Sequence, residues 1–130
     1  MLLLTKNTTA TYYLTLTENV TLTSPYFLFE FTNEFSLTPV YFIAANTSSY
    51  TQRYDSFVIT ETSGTNILTS GTITLNPTVQ YTYRVWEQTS SSNLNPANAT
   101  TLLEVGILKV IGTSDTYYEN TVTNTFIIDE

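Results

Sequence analysis

The sequence predicts an all-β domain: a single antiparallel β-sandwich of about seven to nine strands, immunoglobulin-like or jelly-roll in arrangement. Three observations predict it. Threonine supplies 28 of the 130 residues, alongside 10 tyrosines and 7 phenylalanines. These types suit a pleated, half-buried surface, whereas the residues that build exposed helix faces are scarce. Apolar residues alternate with polar ones at period two, in segments recurring about every ten to fifteen residues. Finally, no segment supports a helix of useful length. The best candidate, Pro96 to Glu104, contains Asn98, Thr100 and Thr101 and sustains only a turn or two.

In chain order, Tyr12, Leu14 and Leu16 form the first apolar face, with Tyr13, Thr15 and Thr17 opposite. After the Ser24-Pro25 break, Phe27, Phe29 and Phe31 share one face, and Tyr26, Leu28, Glu30 and Thr32 the other. Val40 to Ala45 is a short, nearly continuous apolar strand. Phe57, Ile59 and Glu61 alternate with Ser56, Val58 and Thr60 up to a Ser63-Gly64 turn. Ile73 and Leu75 make a short strand before an Asn76-Pro77 turn. Tyr81, Tyr83, Val85 and Glu87 then oppose Thr82, Arg84, Trp86 and Gln88. Residues 90–99 are polar with Asn95-Pro96 inside, a loop. Leu102 to Ile111 is the last strong strand, and Gly106 within it marks a bulge or a close backbone approach. The sandwich is assigned to residues 1–112, and residues 113–130 to a C-terminal extension, either an edge strand or an assembly arm.

Charge and composition exclude several functions. Four basic residues (Lys6, Arg53, Arg84, Lys109) stand against eleven acidic ones, a net charge of −7. No nucleic-acid partner is therefore expected, because phosphate binding needs clustered Lys and Arg. Anionic membrane surfaces are disfavoured for the same reason. The absence of cysteine and histidine removes disulfides, thiolate nucleophiles and imidazole ligands or proton shuttles. The opening residues 1–6 are too short for a signal-peptide core, so synthesis in a reducing cytoplasm is expected.

Among candidate chemistries, a Ser-Lys or Thr-Lys pair using Lys6 or Lys109 has no supporting local motif. Glu30, Glu34, Asp55, Glu61, Glu87 and Glu104 could supply paired carboxylates for glycoside hydrolysis, but read better as solvent-facing strand residues or loop ends. Glu87 and Glu104, with Arg84 and Lys109 nearby, are expected to form cross-strand pairs on an exposed face, in preference to a buried charge pair tuning a site. Asp55, Asp115, Asp129 and Glu130 lack calcium-loop spacing. No catalytic residue, metal or cofactor is therefore assigned. A sugar-stacking platform remains an alternative, drawn from Tyr12, Tyr13, Tyr26, Tyr41, Tyr50, Tyr54, Tyr81, Tyr83, Trp86, Tyr117 and Tyr118. Sequons at Asn7, Asn19, Asn46 and Asn98 are expected by chance in so Thr-rich a chain. At the tail, Tyr117, Tyr118, Phe126, Ile127 and Ile128 are the candidate partner-interface residues, either in an edge strand or in a strand added to a neighbouring subunit.

Residues 81–91 (YTYRVWEQTSS), Asn93-Leu94-Asn95-Pro96 and residues 104–112 (EVGILKVIG) resemble small structural proteins of tailed bacteriophages infecting gut Bacteroidetes, crAss-like phages included. The opening residues 3–8 (LLTKNT) and 24–29 (SPYFLF) look similar to the same group. The resemblance spans essentially the whole chain and rests on strand and turn texture. It implies a virion component, with an auxiliary (decoration) protein of the capsid preferred and a tail or head–tail connector protein as the alternative. The implied partners are the major capsid protein or other virion proteins, with self-association. A carbohydrate-binding adhesion module is the reading from a different class.

Overall fold

A computed structural model describes residues 1–75 and 80–111. Among them the chain is nearly all-β. Its strands are β1 (Leu2–Thr5), β2 (Thr9–Leu14), β3 (Tyr26–Asn33), β4 (Pro39–Ala44), β5 (Asp55–Glu61), β6 (Thr72–Ile73), β7 (Gln80–Gln88) and β8 (Thr101–Ile111). Helical structure among these residues is confined to single 3-10 turns at Thr17–Asn19 and Pro96–Asn98. The candidate helix from Pro96 to Glu104 therefore stops after one turn, which Asn95 caps by accepting from the Ala97 amide, and Thr101 opens β8. No helix among the described residues is long and apolar enough to cross a membrane.

The strands form a curled five-stranded sheet in the order β1-β8-β7-β3-β4 and a three-stranded sheet in the order β2-β5-β6. The expectation of purely antiparallel pairing is corrected in two places. β1 runs parallel to β8, Leu2 opposite Leu108 through Thr5 opposite Ile111, and β5 runs parallel to β6. Parallel neighbours need a long connection, and the first and last described strands have the whole domain between them.

The predicted Phe27, Phe29 and Phe31 face is buried, and rings of both sheets meet there. Phe57 of β5 stands edge-on to Phe27 and Phe29, centroids 5.3 Å and 5.0 Å away, while Phe42 of β4 stacks on Phe29 at 5.1 Å. Each buried phenylalanine contributes about 1.5–3 kcal/mol by leaving water, and edge-to-face pairs add about 0.5–1.5 kcal/mol each. Leu4, Ile59, Tyr81, Val85, Leu108 and Val110 belong to the same cluster.

Gly106 is required by a close approach. A Cβ there would lie 2.5 Å from the Tyr83 ring opposite it on β7, and Tyr83 donates its hydroxyl to Glu104 across that position. The register shift on β7–β8 falls a few residues away, between Val85 and Trp86, so glycine and bulge are neighbours, not the same residue. The β3–β4 hairpin turns through Asn33, whose side-chain Oδ1 accepts from the amides of Phe35 and Ser36. That turn leaves Phe35 93% exposed and Leu37 exposed with φ of 61°. The Asn76-Pro77 turn and residues 112–130 lie outside the described residues.

Candidate functional site

Three carboxylates expected at the surface are inside. Asp55 and Glu87 are 0% exposed and Glu61 is 1% exposed. A buried charge is tolerated only where hydrogen bonds replace water, and here each carboxylate collects donors from a loop distant in sequence. Glu87, on the inner face of β7, accepts from the backbone amides of Thr21 and Leu22 at 3.0 Å each and from the Thr21 hydroxyl at 2.8 Å. Glu61 accepts from Lys6 Nζ at 2.7 Å, the Asn7 amide at 2.7 Å and the Leu75 amide at 2.9 Å. Burial alone would raise both glutamate pKa values. The hydrogen bonds from Thr21 and Leu22 to Glu87, and from Lys6, Asn7 and Leu75 to Glu61, outweigh it and hold both below the ordinary value. The expected exposed pairing of Glu87 and Glu104 with Arg84 and Lys109 is thus corrected. Arg84 Nη1 instead reaches Glu30 at 3.3 Å, and Glu104 takes the Tyr83 hydroxyl. The signal was present in the alternation, which groups Glu87 with Tyr81, Tyr83 and Val85, and Glu61 with Phe57 and Ile59.

Asp55 organises a cleft. Its Oδ2 accepts from the amides of Leu16 at 2.6 Å and Thr17 at 2.9 Å, anchoring the Thr17–Asn19 turn. Its Oδ1 accepts from Asn46 Nδ2 at 2.6 Å and from the Thr17 hydroxyl. Asn46 in turn accepts the Ser48 and Ser56 amides, closing the neck of the 46–54 loop between β4 and β5. One carboxylate therefore fixes both walls. Between them lies a cleft of about 260 Å³ bordered by Thr17, Glu18, Thr51, Gln52, Arg53 and Tyr54. A neighbouring groove of about 360 Å³ shares Thr17 and Thr51 and runs on to Phe27 at the start of β3. Beside the cleft, Tyr54 meets Tyr13 edge-on at 5.5 Å and lies 6.4 Å from Tyr50. Tyr13 and Tyr50 are 64% and 63% exposed.

A second surface is the outer face of the five-stranded sheet. Leu3 of β1 lies opposite Lys109, and Ile107, Val105 and Leu102 continue the line along β8 with their side chains exposed. Thr82, Arg84 and half-buried Trp86 face outward beside them on β7. Arg84 pairs with Glu30 on the same face, and exposed Lys109 stands beside Leu3 at one end of the apolar stripe.

Of the aromatic candidates, Tyr81 and Tyr83 belong to the core, as does Tyr12, whose hydroxyl donates to the Leu3 carbonyl at 2.9 Å. Burial pushes the Tyr12 pKa up to about 12. Tyr117, Tyr118, Phe126, Ile127 and Ile128 lie outside the described residues, as do Asp115, Asp129 and Glu130. Among the described residues no group of three or more acidic side chains is placed to hold a metal ion. Comparison of the chain with protein-family models, with curated proteins and with solved structures finds no match in any of the three.

Proposed function

We propose that this chain is a virion structural protein, an auxiliary (decoration) protein that docks on a bacteriophage capsid, and that its two sheets close as an immunoglobulin-like sandwich. The sandwich reading is supported by strand order. The five-stranded order β1-β8-β7-β3-β4, with β2 antiparallel to β5 in the second sheet, is like the variable-type immunoglobulin arrangement, from which the parallel β5–β6 pair departs. The docking reading is carried by one observation, the exposed apolar stripe of Leu3, Leu102, Val105 and Ile107 on the outer sheet face. Contiguous apolar surface rimmed by polar residues is where protein partners bind. The bacteriophage assignment itself comes from the likeness of residues 81–91 and 104–112 to phage structural proteins.

A shell supplies many identical sites, so a modest contact repeated over the lattice suffices. The test is the copy number in purified particles, measured by quantitative mass spectrometry against the major capsid protein. On the order of hundreds of copies supports decoration through repeated weak sites, and about a dozen moves the protein to the tail or connector. None sinks the virion reading. Val105→Glu places a charge in the stripe without touching the core. It is expected to abolish particle binding while the far-ultraviolet circular dichroism stays unchanged.

A further inference from the structure

We infer that the cleft between the 46–54 loop and the Thr17–Asn19 turn is a binding site for neutral carbohydrate, with one pyranose ring seated against Tyr54. This is independent of the shell-docking proposal, which uses the outer face of the other sheet. The first argument is what the rim leaves unused. Among the described residues most charged side chains are engaged: Lys6 with Glu61, Arg84 with Glu30, Glu34 with Gln80 and Thr82, and Asp55 and Glu87 with backbone amides. Around the cleft the opposite holds. Among the described residues, Glu18, Gln52 and Arg53 make no side-chain hydrogen bond or ion pair, although all three border one small space. They offer an acceptor, a group that both donates and accepts, and a donor. Adjacent sugar hydroxyls, each donor and acceptor at once, match that set.

The second argument is the aromatic wall. Tyr13, Tyr50 and Tyr54 hold one another at inclined angles, with interplanar angles of 74° and 48° at Tyr54. Of the three, Tyr54 borders the cleft, and Tyr13 and Tyr50 hold its ring from outside, so that it can offer an apolar face to the C–H side of a sugar ring. Charge sets the ligand class. Glu18 and Arg53 cancel locally, and a polyanion would meet a chain of net charge −7. Size sets the footprint: about 260 Å³ suits one ring, and the adjoining groove of about 360 Å³ takes its neighbours in a chain. A protein partner is the competing occupant, since Tyr and Arg are also common anchors of protein interfaces, but a cleft of about 260 Å³ bordered by exposed Glu18, Gln52 and Arg53 is sized for a single ring. Asp55 holds both walls in place beforehand, which reduces the ordering cost of binding.

Affinity gel electrophoresis of the full chain in gels containing dextran, mannan, xyloglucan or galactan tests the site, with polygalacturonate as the acidic control. Retardation is expected in at least one neutral gel and not in polygalacturonate. Tyr54→Ala and Arg53→Ala are each expected to weaken that retardation by about tenfold, the worth of one good aromatic or polar contact. Tyr54→Phe keeps the ring and retains binding. Arg53 is exposed, so its variant tests the site even if Tyr54→Ala misfolds. Three results overturn the proposal: no retardation in any neutral gel, retardation by polygalacturonate alone, or Arg53→Ala and Tyr54→Phe both migrating against expectation.

Discussion

Asp55 is the residue on which most local order depends. Removing its carboxylate strands the Leu16 amide, which is buried, together with the Thr17 amide and the Asn46 side chain. Leaving buried donors without an acceptor costs about 1–3 kcal/mol each, with partial relief from water. Asp55→Ala is therefore expected to cost about 3 kcal/mol, read as a lower urea midpoint, and to abolish polysaccharide retardation. Leu37 predicts the opposite sign. It sits at φ of 61°, exposed at the β3–β4 turn, a conformation a branched apolar residue adopts only at a cost. Leu37→Gly relieves about 1–2 kcal/mol of left-handed strain and gives back about 0.4–1 kcal/mol to the freer unfolded chain, so a small net stabilisation of up to about 1 kcal/mol is expected in the same titration. Position 37 carried no turn signal in the sequence: the turn is set by Asn33 and by the leucine's neighbours, not by the leucine.

At the scale of the element, β8 shows how far alternation reads. Gly106 was legible as a special position, a bulge or a close backbone approach, and the structure shows a close approach by a side chain. The object that approaches, the Tyr83 ring, was not, since it depends on register between two strands. Gly106→Ala would drive a methyl group into that ring, which its bond to Glu104 holds in place. The expected cost is about 1–3 kcal/mol, measurable by chemical unfolding, and Tyr83→Ala in the same chain should recover part of it. The buried carboxylates divide in the same way. Period two put Glu61 and Glu87 on the core side, but their acceptability rests on amides 14 to 66 positions away along the chain. Local pattern contains the face; it does not contain the loop that returns to cover it.

For the whole molecule, pH exposes these choices. Glu61 and Glu87 have lowered pKa values in the fold, so the unfolded chain binds more protons as pH drops below about 4.3. The stability they contribute is complete above that value and is lost as pH falls through their folded values. Tyr12 and Tyr83 act at the other end. Their folded pKa values are raised, burial first, so their contribution is complete below about 10 and is lost as pH climbs through the folded values, about 12 for Tyr12. Urea midpoints should therefore be flat between these limits and fall on both sides, and Glu87→Gln should flatten the acid limb. The parallel pairing of β1 with β8 has a mechanical consequence. Tension drawn from ahead of Leu2 and beyond Ile111 pulls the two strands in opposite senses along a common axis, loading all their hydrogen bonds in shear together. Tension across the β3–β4 hairpin, from residues 26 and 44, peels its bonds one pair at a time. Single-molecule stretching should give a markedly higher rupture force through the first geometry than the second, making this small domain a strong link in any chain of contacts pulled end to end.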